Sequence, residues 1–152
     1  MSSLIGKVVA DVEIRASAEK FYGVFCNTPS QLSSICPDVI QACHLLDGEW
    51  GRLGSITHWS YVHDGQAKVA KLIIESVDST KNSITYGVIG GDLKNEFNSF
   101  TFKIEATQKD GGSRAYLTLG YIKLSEDVAG PQTLLQQGIR LFKALDAYLT
   151  HA

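Results

Sequence analysis

The stretch from residue 131 to residue 149, PQTLLQQGIRLFKALDAYL, decides the fold. Leu134, Leu135, Gly138, Leu141, Phe142, Leu145, Tyr148 and Leu149 fall at i, i+1, i+4, i+7, i+8, i+11, i+14 and i+15. That spacing makes one continuous stripe on an α-helix of about five turns, opened by Pro131. Gln136, Arg140, Lys143 and Asp146 lie off the stripe. A helix with one apolar face needs a surface to cover, and the rest of the chain supplies it.

Upstream the period changes from helical to alternating. Val8, Ala10, Val12 and Ile14 alternate with Lys7, Val9, Asp11 and Glu13, which reads as a half-buried strand. Ser17 can cap a short helix over Ala18 to Cys26 whose apolar side carries Phe21, Tyr22 and Phe25. Thr28-Pro29-Ser30-Gln31 has the form of a capping box with Pro at the first helical position, and Pro37 stops that second short helix. Six further strands follow: Val39 to Leu46, Ser55 to Val62, Ala67 to Val77, Ser83 to Ile89, Phe97 to Ala106 and Ser113 to Leu124. The turns between them, such as His63-Asp64-Gly65 and Lys109-Asp110-Gly111-Gly112, mark an antiparallel meander rather than strand–helix–strand units. The predicted class is α+β in one domain over residues 1–152, with seven strands, two short helices after the first, and one long terminal helix.

Alternation gives each strand an inner row. Thr57, Trp59, Tyr61 and His63 form one, and Ile84, Tyr86 and Val88 another. Phe100, Phe102, Ile104 and Ala106 form a third; Ala115, Leu117, Leu119 and Tyr121 a fourth. From Ala67 to Leu72 the alternation breaks, so a bulge is expected there and the facing is open. One helix is about 10 Å wide, whereas seven strands at about 4.8 Å spacing span more than about 30 Å. The sheet must curl around the helix. Whether the space between them fills with side chains turns on positions such as Gly138, which sits inside the apolar stripe at a cost of roughly 0.5–1 kcal/mol relative to Ala. It either packs closely on a bulky neighbour such as Trp59 or Phe102 or leaves room for a ligand.

Bulk properties narrow the function. The chain of 152 residues is 44% apolar and 20% charged, with a formal net charge of −2. With a pI near 6.0 it has no electrostatic footprint for nucleic acid and no basic run for an acidic membrane surface. No apolar run approaches the roughly 20 residues of a membrane span, and Lys7, Asp11 and Glu13 break up the only apolar start, so no secretory signal is read. Cys26, Cys36 and Cys43 lack C-x-x-C spacing and suit free thiols in a cytoplasmic setting.

Several blocks resemble one plant family. Leu4-Ile5-Gly6-Lys7, Gly48-x-Trp50-x-x-x-Gly54-Ser55-Ile56-x-x-Trp59 and Tyr61-Val62-His63-Asp64-Gly65 are similar to segments of the major latex proteins. So are Gly91-Asp92-Leu93-x-x-x-Phe97-x-Ser99-Phe100 and Tyr121-x-Lys123-Leu124-x-Glu126-Asp127-Val128, in family-like order across nearly the whole chain. That branch is related to the birch-pollen allergens and other class-10 pathogenesis-related proteins. The resemblance implies a helix-grip fold with a large internal cavity for steroids, fatty acids, flavonoids, cytokinins or similar apolar metabolites, and some relatives are cyclases, isomerases or condensing enzymes.

The family's cavity positions fall on Phe25, Ile40, Trp59, Tyr61, Ile84, Tyr86, Val88, Phe100, Phe102, Ile104, Leu117, Leu119 and Tyr121. On the long helix they fall on Leu134, Leu135, Gly138, Leu141 and Phe142. Gly90-Gly91-Asp92 carries glycine where many relatives have glutamate, so the entrance there is expected to be less acidic and more mobile.

Chemistry-bearing motifs are sparse. The Gly48 to Gly54 loop lacks the Gly-Lys-Ser/Thr ending of a phosphate loop and leads into a strand, so it reads as structural. His58 and His63 are five apart in one strand and face opposite sides, and no zinc or iron spacing occurs, so neither metal nor cofactor is expected. His63 adjoins a hairpin tip and is expected to be exposed. Tyr86, Tyr121 and His63 are the candidate acid–base groups, with no nucleophile motif beside them. Binding of a small apolar metabolite is the first expectation. A cofactor-independent cyclase or isomerase of a terpenoid or alkaloid intermediate is the second. A regulatory module with a protein partner is the third, marked by an apolar patch near Gly51 to Gly54 and Gly87 to Asp92.

Overall fold

The structure, a computed structural model, describes residues 4–151. In chain order the elements are β1 (Ile5–Ile14), α1 (Ala18–Asn27), α2 (Leu32–Ile35), β2 (Ile40–Asp47), β3 (Ile56–His63), β4 (Gln66–Asp78), β5 (Ser83–Gly91), β6 (Phe97–Lys109), β7 (Gly112–Lys123) and α3 (Gln132–Thr150). The strands form one sheet in the order β1-β7-β6-β5-β4-β3-β2, every neighbour antiparallel. The two edge strands, β1 and β2, do not pair with each other. α3 lies across the concave face, against β1 and β7 on one side and β3 on the other.

Local signals explain most element ends. Ser17 Oγ accepts from Lys20 N at 3.2 Å and opens α1. The hairpin between β3 and β4 uses Asp64 and Gly65 with φ of 53° and 74°, the left-handed pair that suits a two-residue turn. The capping box expected at Thr28 does not form. Thr28 N is already committed to Val24 C=O as the end of α1, and its hydroxyl caps nothing. A single 3₁₀ turn, Pro29–Gln31, leads into the one-turn α2 instead.

In β4 the irregularity expected over 67–72 is present as a register shift between Lys71 and Leu72 on the β5 side. Ala70 and Leu72 face the core in regular register with β3, and Ile74 just beyond that register is buried as well. The irregularities lie on the other side, against β5, where Ile89 and Glu75 are the unpaired residues. The bulged Glu75 folds its carboxylate over Gly87, where a β-carbon would collide with it.

The helix is anchored at both ends by contacts of different kinds. Toward its C-terminus, Asp146 is buried and accepts from Arg15 N (3.1 and 3.0 Å) and Ala16 N (2.9 Å). Its place off the apolar stripe is therefore not a solvent position: the carboxylate satisfies two amides where the chain leaves β1 for α1. In mid-helix Phe142 packs edge-on against Phe21 and Phe25, with ring centroids 5.0 and 5.7 Å away. Tyr148, expected on the stripe, is 55% exposed, whereas its neighbour Leu149 packs against the core.

Candidate ligand cavity

Between α3 and the sheet lies a cavity of about 110 Å³. Phe25 and Ile40, then Trp59, Tyr61 and Tyr86, then Phe102, Ile104 and Leu117 line it from α1 and the strands. Leu134, Gly138, Leu141 and Phe142 line it from α3. Val39, Val62, Ala70, Leu72 and Gln137 complete the wall, and the sequence reading missed all five. Ala70 and Leu72 fell in the segment whose facing was open. Gln137 is one residue off the apolar stripe, and its amide donates to Val62 C=O at 3.0 Å.

Six of the residues assigned to the cavity by resemblance stand elsewhere. Ile84, Val88, Phe100 and Leu119 are buried in the packed part of the core, and Leu135 is half-buried against it. Tyr121 is a clear departure. Its ring lies over Gly6 of β1, so close that a β-carbon there would strike the ring and hydroxyl. With Phe97 and Phe100 it forms an aromatic cluster, at centroid distances of 5.6 and 6.3 Å, away from the cavity.

The expected large chamber is small because side chains fill most of it. Gly138 contributes to this: a β-carbon on it would collide with Leu117 Cδ2. The close neighbour is thus Leu117, not Trp59 or Phe102, and the same glycine also borders the remaining space.

Polar groups in the wall are few, and most are committed. Trp59 Nε1 donates to Thr57 Oγ1 at 2.9 Å within the buried interior. Tyr86 Oη donates to Phe25 C=O at 3.1 Å. That carbonyl would ordinarily accept from the amide four residues on, but residue 29 is proline and has none. Burial raises the Tyr86 phenol well above its ordinary pKa, with Cys43, Cys26 and Tyr22 adding to the effect. Tyr61 Oη is buried with no hydrogen-bond partner, and burial pushes this phenol up to about 12, helped by the carboxylates of Asp92 and Glu96. Among the described residues no carboxylate, amine or imidazole is part of the wall.

His63 is not the exposed residue expected at a hairpin tip. Its side chain is 13% exposed, and Nε2 meets Thr133 Oγ1 of α3 at 2.7 Å. Together with Gln137–Val62 and the Arg140–Asp38 contact at 3.5 Å, it clasps the N-terminal half of α3 to the β2–β3 side of the sheet. His44, without a partner in sequence, stands directly cross-strand from His58 on the outer face. Among the described residues no cluster of His, Cys, Asp and Glu could hold a metal ion. The cysteines are free and buried; burial pushes the Cys43 thiol up to about 12, away from reactivity.

The glycine loops are structural. Gly48, Gly51 and Gly54 have φ of 87°, 73° and 84°, and Gly51 sits against the Cys26 carbonyl and thiol with no room for a side chain. Gly90 and Gly91 belong to β5 itself, paired with Lys71 and Ala70, rather than to a loose entrance loop. Gly91, at φ 101°, is held so near the Val69 carbonyl that a side chain is excluded, and Asp92 accepts from Val69 N at 2.8 Å. Leu53 and Ile89, on the segments named for a protein partner, are exposed.

A seven-stranded antiparallel sheet folded over an apolar hollow and a C-terminal helix defines a helix-grip fold. The pathogenesis-related protein Bet v 1 family matches residues 3–152, and the chain belongs to that family, which is known for binding hydrophobic ligands. MLP-like protein 43 of Arabidopsis thaliana is 49% identical over 150 residues, 97% of this chain and 95% of that protein. MLP-like protein 28 of the same plant is 50% identical over 97% of this chain, which spans only 45% of that longer relative. The crystal structure of ginseng major latex-like protein 151 from Panax ginseng superposes with a TM-score of 0.94 at 31% identity, covering 97% of this chain and 99% of that one. The solution structure of an Arabidopsis thaliana member of the major latex protein family gives a TM-score of 0.70 at 48% identity over 99% of this chain and 98% of that one.

Among the described residues no helix is long and apolar enough to cross a membrane.

Proposed function

We propose that this protein binds a small apolar metabolite, of steroid, terpenoid, flavonoid or alkaloid-like class, in the cavity beneath α3. The observation that carries the reading is the composition of the wall: hydrocarbon and aromatic surface with a few hydrogen-bonding groups and no charge. Burial of apolar ligand surface at about 25 cal/mol per Å² then supplies affinity. A cavity of about 110 Å³ suits a single small ring. A larger ligand enters by displacing side chains and releasing the clasp that holds α3 against His63, Val62 and Asp38.

The cyclase alternative draws less support. Tyr86 is committed to a backbone carbonyl, Tyr121 is turned toward β1, and His63 is bonded to Thr133 outside the wall. No remaining group in the wall exchanges a proton readily near neutral pH. Native mass spectrometry after incubation with an apolar metabolite extract, beside the same extract without protein, separates the two readings. Retained and unaltered compounds are the expected result. A product formed only in the presence of protein would replace the binding reading with the enzymatic one.

A further inference from the structure

Within the wall of the cavity, one polar atom is left over. Trp59 and Tyr86 each spend their one donor on a protein acceptor, and Gln137 donates to Val62 C=O while its Oε1 accepts from Arg140. Tyr61 lines the cavity, is 7% exposed, and its hydroxyl has no partner among the described residues. The one other buried side-chain oxygen without a partner among them, Tyr22 Oη, is not in the wall. A buried hydroxyl left unpaired destabilises the fold, so a phenol where phenylalanine would pack equally well calls for a partner that the empty chain lacks. Water fits this role poorly, since a buried water needs two to four polar neighbours and the other polar groups of the wall are already paired.

We propose that Tyr61 Oη donates a hydrogen bond to the carbonyl or hydroxyl oxygen of a neutral, otherwise hydrocarbon ligand, which makes the cavity selective for oxygenated over carboxylated apolar molecules. This rests on the binding reading above. The charge of the surroundings sets the ligand's charge. Asp92 and Glu96 act on the Tyr61 hydroxyl as negative neighbours, and both make ionisation there harder. A ligand carboxylate brought to the same oxygen meets that field and loses its water in a hydrocarbon wall, with no cation in the lining to receive it. A neutral oxygen suffers neither cost and accepts the free donor of Tyr61. The ligand is thus a compact cyclic ketone, aldehyde or alcohol in type.

The test uses cyclohexanone, methylenecyclohexane and cyclohexanecarboxylate, each titrated into the whole protein and into Tyr61→Phe, with methyl shifts of Leu117, Leu134 and Leu141 as the readout. In the wild type the ketone and the hydrocarbon both shift these methyls and the carboxylate does not. In Tyr61→Phe the ketone-to-hydrocarbon affinity ratio falls about tenfold, the loss of one buried hydrogen bond. Carbonyl-labelled cyclohexanone provides a second readout: its bound ¹³C resonance lies downfield in the wild type of where it lies in Tyr61→Phe, whose wall offers that carbonyl no phenol. A ratio unchanged within about twofold, a bound carbonyl resonance at the same position in both proteins, or a carboxylate that binds as well as the ketone overturns the assignment to Tyr61 and leaves the cavity reading intact. Methyl groups unmoved by both the ketone and the hydrocarbon overturn the cavity reading itself.

Discussion

Gly138 of α3 and Leu117 of β7 share one volume: the space a β-carbon would take on the helix is filled by Leu117 Cδ2. Both residues also border the cavity. In Gly138→Ala the leucine tip must swing, and the open side is the cavity. The gain in helix propensity, roughly 0.5–1 kcal/mol, and the cost of repacking a core side chain, about 1 kcal/mol, nearly cancel. Thermal unfolding should therefore move by a few degrees at most, while affinity for an apolar ligand falls about tenfold or more in calorimetric titration.

Tyr61→Phe and Tyr86→Phe remove the same atom from two buried rings and should move stability in opposite directions. The first deletes an unpaired hydroxyl, so the ligand-free protein gains about 1 kcal/mol. The second strips Phe25 C=O of the donor that stands in for the missing amide of Pro29, and costs about 1–2 kcal/mol. Urea unfolding of both variants at neutral pH reads the difference.

Thr133→Val keeps the shape of the side chain and removes the acceptor or donor that meets His63 Nε2. Among the described residues the N-terminal half of α3 then keeps the Gln137–Val62 and Arg140–Asp38 polar contacts on that side. Stopped-flow quenching of the Trp59 fluorescence should show faster association with a terpenoid-sized ligand, at a stability cost of about 1 kcal/mol. An unchanged rate would separate the clasp from ligand entry.

Asp78 provides a pH prediction outside the cavity. The Thr80 hydroxyl at 2.6 Å, followed by the amides of Lys81 and Thr80, holds its carboxyl below the ordinary range. A depressed folded-state value stabilises the fold above the unfolded pKa, and that contribution is lost as pH falls through the folded value. Thr80→Val should raise the Asp78 midpoint in a carboxyl ¹³C titration toward that of an unperturbed aspartate. A midpoint that stays where it was would show that the backbone amides alone set it.

The class of fold was legible because helix and strand periods differ and the switch at Pro131 is sharp. The inner rows of β3, β5, β6 and β7 were legible for the same reason, and the buried positions Trp59, Tyr61, Ile84, Tyr86, Ile104 and Leu117 follow from them. Facing is not the same as lining, however. Ile84, Phe100 and Leu119 face inward and meet other side chains, while Ala70 and Gln137 reach the hollow through a register and a hydrogen bond that no alternation encodes. Burial of Asp146 and the clasp at His63 join positions far apart in the chain, and only the assembled fold brings them together.

The central claim is that the space beneath α3 admits an apolar ligand from solution. Benzene matches a cavity of this volume and is taken up by apolar cavities of similar size. Isotope-filtered NOE spectroscopy of the protein saturated with benzene tests the claim directly. The account predicts intermolecular NOEs to the methyl groups of Leu117, Leu134 and Leu141. NOEs confined to the exposed Leu53 and Ile89, or none at saturation, would contradict it.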